Sequence, residues 1–183
     1  EAIRNSFRQI NMNLVGGIAF LAAMIYCALY IGDLSFTGFI SIATSSQLVG
    51  QNTFLLVVPL TLFAIAAIAK AAQTPFHTWL LGAMVAPTPI SALLHSSTMV
   101  KAGVFLLVRL APIFSACSGP IMGAISDTTS IEMPLEVAAF MAIPCYMVVL
   151  IGAITFCICS FIAISQNNAK RVLAYSTIAN LGL

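Results

Sequence analysis

Charged side chains are scarce in this sequence. Of its 183 residues only 7 are Lys or Arg and 5 are Asp or Glu, so charged residues make up 7% of the chain, against about 25% in a typical soluble domain. The hydrophobic share is 61%, more than a soluble fold can bury. We therefore expect an integral, multi-pass membrane protein, in a prokaryotic cell membrane or the mitochondrial inner membrane. The net charge of +2 is too small to indicate a nucleic-acid partner.

The sequence also lacks the motifs of covalent and metal chemistry. It contains no glycine-rich phosphate loop and no nucleophile–base pattern. Two cysteines have the spacing C-x-C, but the second pair that a zinc site requires is missing. We expect no catalytic residue, no metal site and no cofactor in this chain. We interpret its five cysteines as small core residues: Cys27, Cys117, Cys145, Cys157 and Cys159.

The two ends of the sequence lack the usual marks of a complete membrane protein. There is no initiator Met and no signal-peptide pattern. The final residues, "YSTIANLGL", stop within an apolar run. We expect an internal segment of a larger membrane protein.

Apolar runs predict the transmembrane helices, because a spanning helix needs about 20 mostly apolar residues. The pattern predicts an all-α fold, a polytopic transmembrane helix bundle forming a single domain over residues 1–183. We expect about four spans plus a truncated fifth, with one of the spans a broken helix. The predicted spans are 12–31, 53–85, 89–112, 137–165 and 172–183.

The second apolar run, residues 53–85, has an unusual length. Its 33 residues would extend roughly 50 Å as one helix, too long for one crossing and too short for two with a turn. Pro75 cannot donate to the helical ladder, and it follows the polar pair Gln73 and Thr74. We predict a helix broken near 71–75, with these three residues as the hinge. Broken helices with polar groups at the break occur at ion-transport sites.

The distribution of charge predicts the orientation of the bundle. Under the positive-inside rule, one set of loops faces the cytoplasm or the mitochondrial matrix; its cations are Arg4, Arg8, Lys170 and Arg171. The opposite side carries the acidic residues Asp33, Asp127, Glu132 and Glu136, with Arg109 as the one cation near that end.

Lys70 is the most informative residue, because it lies inside an apolar run. A charge at the centre of a bilayer is costly, and burial disfavours the ammonium form, so a lysine held in lipid is able to take up and release a proton. The alternative is a lysine whose ammonium snorkels to an interface. We favour an intramembrane, functional lysine.

Further polar residues lie downstream of Lys70. On a continuous helix, Thr98 is three residues from both His95 and Lys101, so the three side chains would form a slanted ridge able to relay protons. The alternative for His95 is a hydrogen-bonded core histidine. For His77, which follows Pro75, orienting the break and lining the path are equally supported.

Two segments resemble the antiporter-like membrane subunits of the complex I superfamily. They are "AKAAQTPFHTWLLGAMVAPTPISALLHSSTMVKAG", from Ala69, and "KRVLAYST", from Lys170. The family includes NADH:quinone oxidoreductase subunits, membrane-bound hydrogenase subunits and large Mrp antiporter subunits. Gly82 stands where the subunit-5 type has an acidic residue, and Lys101 makes the chain look closer to the hydrogenase-linked and Mrp branches.

The resemblance implies roles for three residues. Lys70 matches the central proton-carrying lysine, His95 a neighbouring relay group, and Lys170 a lysine on the path to the next half-channel. It also implies that the lysine's acidic partner lies on a helix that precedes this segment.

The function that the resemblance favours is a proton-translocating subunit of a redox-driven oxidoreductase complex, with no redox catalysis in this chain itself. Its partners would be other membrane subunits, the lipid bilayer and protons or Na⁺. The alternative is a Na⁺/H⁺ antiporter subunit of Mrp type without a redox partner. A bundle that merely anchors partners is a third hypothesis.

Overall fold

The computed structural model describes residues 2–32, 35–44, 53–96, 99–125 and 135–183. Within these ranges the chain is helical and contains no β-strand, which confirms the predicted all-α bundle. The eight α-helices are α1 (Ala2–Tyr26), α2 (Phe36–Thr44), α3 (Thr53–Lys70), α4 (Thr78–Gly82), α5 (Thr88–Ser96), α6 (Met99–Ile125), α7 (Leu135–Ile164) and α8 (Ala169–Gly182). A π-helical turn, Cys27–Ile31, extends α1, and a 3₁₀ turn, Ala83–Val85, follows α4.

Helix α1 is longer than its apolar run predicts. It begins at Ala2 instead of residue 12, and its π-helical extension ends at Ile31, as expected. Gly32 terminates it with φ 80°, and the Gly32 N–H donates to the carbonyl of Cys27 at 3.0 Å. An apolar run marks only the part of a helix that suits lipid, whereas the hydrogen-bonded ladder continues through the polar residues before it.

Helix α3 occupies the centre of the bundle. It packs against α1, α6 and α7, and most of its residues from Leu56 to Ala69 are buried. The first half of α3 belongs to a core cluster with the second half of α1 and the middle of α6. Among its members are Ala23, Cys27, Leu60, Phe63 and Leu110. A helix that is apolar on all sides is expected at such a central position.

Helices α3 and α4 run in line along α1, in the opposite direction. The contacts follow one another down both chains: Phe20 with Phe63, Gly16 with Ala69, Asn13 with Lys70, Met12 with Thr78, and Asn5 with Gly82. The two helices are therefore the two halves of a single interrupted rod. The interruption, residues 71–77, lies beside Asn13 of α1.

This register places the interruption well inside the bundle. Asn13 is 11 residues from Ala2 and 18 residues from Ile31, the two ends of the α1 rod. At about 1.5 Å per residue these separations are roughly 16 Å and 27 Å. The shorter separation is about half, and the longer nearly the whole, of a hydrocarbon core about 30 Å thick.

The region predicted as one helix over 89–112 contains α5, which is described as far as Ser96, and the first half of α6, described from Met99. Residues 97–98 between them lie outside the described residues, so the continuity of this helix stays a prediction. Helix α6 also continues past Pro112 to Ile125, so the expected polar loop from Ser115 is in part helical. Polar residues are tolerated there because they bond within their own helix: the Ser115 hydroxyl donates to the carbonyl of Pro112 at 2.8 Å.

Helices α7 and α8 form a close antiparallel pair. A Cβ added at Gly152 would lie 2.5 Å from the carbonyl oxygen of Gly182, so only glycine permits this approach. Helix α8 begins three residues before the predicted boundary, at Ala169. It is capped by Asn168, whose side chain accepts from the N–H of Lys170 at 3.2 Å.

The packing also shows which ends of the helices share a side. Phe140, near the start of α7, packs with the cluster around Cys27, whereas Cys159, near its end, packs with Trp79 and Met12. The α7–α8 turn therefore lies at the same end as the start of α1. This confirms that Arg4, Arg8, Lys170 and Arg171 gather at one end of the bundle, where all four are exposed.

Among the described residues, two stretches are long and apolar enough to cross a membrane, Ile3–Ile31 and Ala142–Ile164, and Leu55–Lys70 is a shorter apolar helix. Large apolar side chains are exposed on the outer faces of α1 and α7, among them Leu14, Ile18, Leu21, Val149, Leu150 and Phe161. Such faces suit lipid or neighbouring membrane helices.

Candidate ion-translocation site at the interruption of α3

Helix α3 ends at Lys70 in a recognisable capping motif. The N–H of Gln73 donates to the carbonyl of Ile68 at 3.1 Å, and the N–H of Ala72 donates towards the carbonyl of Ala69 at 3.4 Å. This is the bonding pattern of a Schellman motif, with Ala72 at the position that takes a left-handed conformation. Ala72 has φ 53°, a region where a residue with a Cβ is strained.

The conformation at Ala72 is held by its surroundings. Ala71 and Ala72 are fully buried. The indole N–H of Trp79, also buried, donates to the carbonyl of Ala69 at 3.2 Å and so ties α4 to the end of α3. We interpret Trp79 as a packing residue that braces the interruption.

Lys70 contacts a neutral amide on α1. Its Nζ donates to Oδ1 of Asn13 at 3.2 Å, and Nδ2 of Asn13 donates to the carbonyl of Gln9 at 3.1 Å. The second bond orients the Asn13 amide so that its oxygen faces the ammonium. Lys70 also occupies the last turn of α3, where the partial negative charge of the helix end favours a cation.

A cavity of about 380 Å³ lies beside Lys70, between α1, α3 and α6. Its walls are apolar or backbone apart from Lys70, and it is lined by Gly16, Gly17, Phe20, Ala66, Ala67, Lys70, Ala102, Gly103, Phe105 and Leu106. The lysine is half-buried. A group that gains and loses a proton needs such a space, in which its surroundings are able to change.

The three predicted hinge residues all lie in the interruption, and two of them contact other helices. Nε2 of Gln73 donates to the carbonyl of Leu181 on α8 at 3.0 Å. The N–H of Thr74 donates to Oγ1 of Thr155 on α7 at 3.0 Å, and the two threonine hydroxyls bond to each other. Pro75 is exposed.

Two buried polar atoms of the interruption have no hydrogen-bond partner within the described residues. They are Oε1 of Gln73 and Nδ1 of His77. Buried acceptors and donors in proteins are usually paired with protein groups or ordered water. The interruption therefore carries buried polar groups within an otherwise apolar core.

The other predicted site residues are not brought to Lys70 by any described contact. Lys101 is exposed in the first turn of α6, and Lys170 is exposed in the first turn of α8. Lys170 lines a small cavity of about 150 Å³ between α5 and α8, together with Ser91 and Thr177. His95 belongs to α5, but its side chain, like the whole of Thr98, lies outside the described residues, so the relay through them stays a prediction.

Two residues of the site were missed by sequence reasoning. Asn13 stands within a predicted span, and Thr155 within another, yet each contacts the interruption over a separation of 57 or 81 residues. In the sequence, both stand out only as polar residues within an apolar run. Which residues they contact depends on which helices pack together, and the sequence pattern alone does not specify that packing.

The chain matches one protein-family model over nearly its whole length. The model describes the transmembrane region of the NADH:quinone oxidoreductase/Mrp antiporter family, and it matches residues 1–133 and 131–183.

The curated relatives are similar over the whole of this chain. It is 33% identical over 182 residues to the Na⁺/H⁺ antiporter subunit A1 of Staphylococcus epidermidis (strain ATCC 35984), and 35% identical over 182 residues to the subunit of the same name in Staphylococcus aureus (strain MRSA252). In both cases the match covers 100% of this chain and 19% of the relative. The chain thus spans about a fifth of the length of these relatives.

A solved structure has the same arrangement of helices. The structure of the Mrp complex from Dietzia sp. DQ12-45-1b contains a chain that superposes with a TM-score of 0.72 at 28% identity. The superposition covers 97% of this chain and 17% of that one. Together with the family model, these relatives show that the chain is an antiporter-like membrane segment belonging to the NADH:quinone oxidoreductase/Mrp antiporter transmembrane family.

Proposed function

We propose that this chain forms the proton-carrying part of a Na⁺/H⁺ antiporter subunit of Mrp type, with Lys70 as the group that takes up and releases the proton. The observation that carries the proposal is the position of Lys70. Its ammonium lies at the end of an interrupted helix, beside a cavity and in contact with Asn13, which is roughly 16 Å along α1 from Ala2. Ionisable groups held within a membrane bundle commonly mark an ion path.

The hydrogen-bond partner of Lys70 is neutral, which supports the proposal that Lys70 takes up and releases a proton during transport. Asn13 accepts a hydrogen bond from the ammonium, but an amide oxygen stabilises the charged form less than a carboxylate does. Glu136, at the other end of the bundle, is the only acidic residue in the part of the chain that the structure describes. Among the residues that the structure describes, the side-chain hydrogen bond of the ammonium is therefore with an amide and not with a carboxylate.

The antiporter hypothesis is better supported than the redox-driven hypothesis that the sequence first favoured. The two share Lys70 and the interrupted helix, so the site itself does not separate them. The curated relatives reported above are named as Na⁺/H⁺ antiporter subunits, and the matched structure is an Mrp complex. We propose other membrane subunits of such a complex as the partners, and H⁺ and Na⁺ as the ions moved.

The proposal is tested by an ion gradient imposed without any electron donor. The full-length protein is assembled in its complex in everted membrane vesicles, and a Na⁺ gradient is applied while the internal pH is followed with a fluorescent dye. We expect Na⁺ to drive proton movement in the wild-type complex, and Lys70→Met to abolish it because the side chain keeps its length but loses the amine.

The matched control is Arg109→Met, which removes an exposed cation from α6 and is expected to leave exchange unchanged. Proton movement that required an electron donor would contradict the antiporter assignment and favour the redox-driven alternative. Full exchange by the Lys70→Met complex would remove Lys70 from the ion path.

A further inference from the structure

The interruption of α3 is tied to α7 and α8 by a set of polar contacts that ion translocation by Lys70 does not explain. Thr155 on α7 accepts a hydrogen bond from the N–H of Thr74 and bonds to its hydroxyl. Gln73 donates to the carbonyl of Leu181 on α8. These contacts lie three and four residues after Lys70, on a segment with no helical ladder of its own.

The position of Thr155 is fixed by burial, by a hydrogen bond within its own helix and by the close packing of α7 on α8. Its side chain has no exposed surface. Its hydroxyl donates to the carbonyl of Ile151 in its own helix at 2.7 Å, which leaves the oxygen's lone pairs directed at Thr74. The close approach of Gly152 to Gly182 joins α7 and α8 at the same level.

The strained backbone at Ala72 makes these contacts consequential. A residue with a Cβ persists in a left-handed conformation only where the surrounding structure holds it there. Ala72, at φ 53°, stands between Lys70 and the two residues that α7 and α8 hold. If residues 71–77 were released from α7 and α8, the end of α3 would relax. The direction in which the Lys70 side chain extends towards Asn13 would then change.

We propose that Thr155 is a positioning residue for the ion-carrying lysine: by holding Thr74, it makes the conformation of residues 71–77, and therefore the Lys70–Asn13 contact, depend on the position of the α7–α8 pair. The inference rests on the proposed function of Lys70. It assigns α7 and α8 a role in the transport site that neither their apolar sequences nor the contacts of Lys70 itself indicate.

The first test measures the hydrogen bond itself, with no reference to transport. Amide hydrogen exchange is followed by mass spectrometry on the solubilised full complex, in peptides that contain Thr74. Thr155→Val keeps the shape of the side chain but removes its hydroxyl, so we expect exchange of the Thr74 amide to become about three- to tenfold faster, as befits one lost hydrogen bond. Thr61→Val is the matched control, because that hydroxyl bonds to Val58 within α3.

The second test measures Na⁺/H⁺ exchange in the same variants. We expect Thr155→Val to slow exchange about three- to tenfold and to move the pH at which exchange is half-maximal, since Lys70 would face altered surroundings. Thr155→Ser retains the hydroxyl and should restore both quantities towards wild type. Thr61→Val should change neither.

The outcomes separate the positioning role from the function on which it rests. If the Thr74 amide exchanges its hydrogen at the wild-type rate in Thr155→Val, the proposed hydrogen bond is wrong. If Thr155→Val speeds hydrogen exchange of the Thr74 amide but leaves the transport rate and its pH profile at wild type, Thr155 is only a structural residue. That result would overturn its positioning role. Full transport by Lys70→Met would instead overturn the function of the lysine, and with it the inference.

Discussion

Asn13 supplies the oxygen that Lys70 reaches, and it does so as an uncharged group. The amide is held by its second bond to the carbonyl of Gln9, so its oxygen is presented to Nζ without the need for a counter-charge. A neutral acceptor holds the lysine in place without adding a negative charge beside it. The identity of residue 13 should therefore influence the pH dependence of transport.

Replacing this amide by a carboxylate provides a direct test of that influence. In Asn13→Asp an opposite charge beside the amine favours its protonated form, so we expect the pH of half-maximal exchange to rise. Asn13→Leu removes the acceptor without adding charge and should slow exchange with no such rise. The measurement is the pH profile of Na⁺/H⁺ exchange in vesicles, and identical profiles for the two variants would contradict the contact.

Ala72 allows the strain at the interruption to be measured. A left-handed residue with a Cβ costs roughly 1–2 kcal/mol compared with glycine. We expect Ala72→Gly to raise the apparent unfolding temperature of the complex or leave it unchanged. Ala72→Val should lower it by several degrees, because a β-branched side chain is poorly accommodated at positive φ and Ala72 is fully buried. A stabilising effect of valine would show that the segment is not left-handed.

The helices meet near the interruption through glycine. A Cβ added at Gly103 of α6 would lie 2.5 Å from the carbonyl oxygen of Ala67 and 2.6 Å from the nitrogen of Ala71. Both atoms are backbone and are fixed by the end of α3, so α6 would have to move away.

Alanine substitution of two glycines tests this packing. We expect Gly103→Ala to reduce the amount of assembled complex and the exchange rate, because overpacking of this kind typically costs 1–3 kcal/mol. Gly17→Ala is the control, since a Cβ at that position meets nothing within 4 Å. If both variants lost assembled complex and exchange rate to the same extent, the effect would come from helix propensity or expression. The close approach of α6 to α3 would then not be its cause.

Local and distant features of the interrupted helix differed in how well the sequence predicted them. Lys70, Pro75 and the polar residues between them are neighbours in the chain, so their pattern alone predicted where α3 breaks. The contacts with Asn13 and Thr155 join residues 57 and 81 positions apart, and they depend on the packing of three helices.

In the described part of the bundle, Arg4, Arg8, Lys170 and Arg171 lie at one end. The start of α1 and the α7–α8 turn share that end because α7 runs from the level of Cys27 to the level of Trp79. The membrane orientation that follows, with this end towards the cytoplasm, is open to measurement.

Labelling from either side of the membrane tests that orientation. In a background without reactive native cysteines, Arg8→Cys and Arg171→Cys should both react with a membrane-impermeant maleimide from the cytoplasmic side. Ser35→Cys, which follows the far end of α1, should react from the opposite side. Labelling of Arg8→Cys and Arg171→Cys from different sides would contradict the antiparallel path of α1, α7 and α8.

Proton transfer by Lys70 is tested most directly by a substitution that keeps the charge and removes the ability to release a proton. Arginine is a permanent cation in proteins, so Lys70→Arg separates a proton carrier from a structural cation. We expect the full-length complex carrying Lys70→Arg to assemble at wild-type level and to show no Na⁺-driven proton movement across a range of pH. Exchange at the wild-type rate by this variant would contradict the proposal that residue 70 carries the proton.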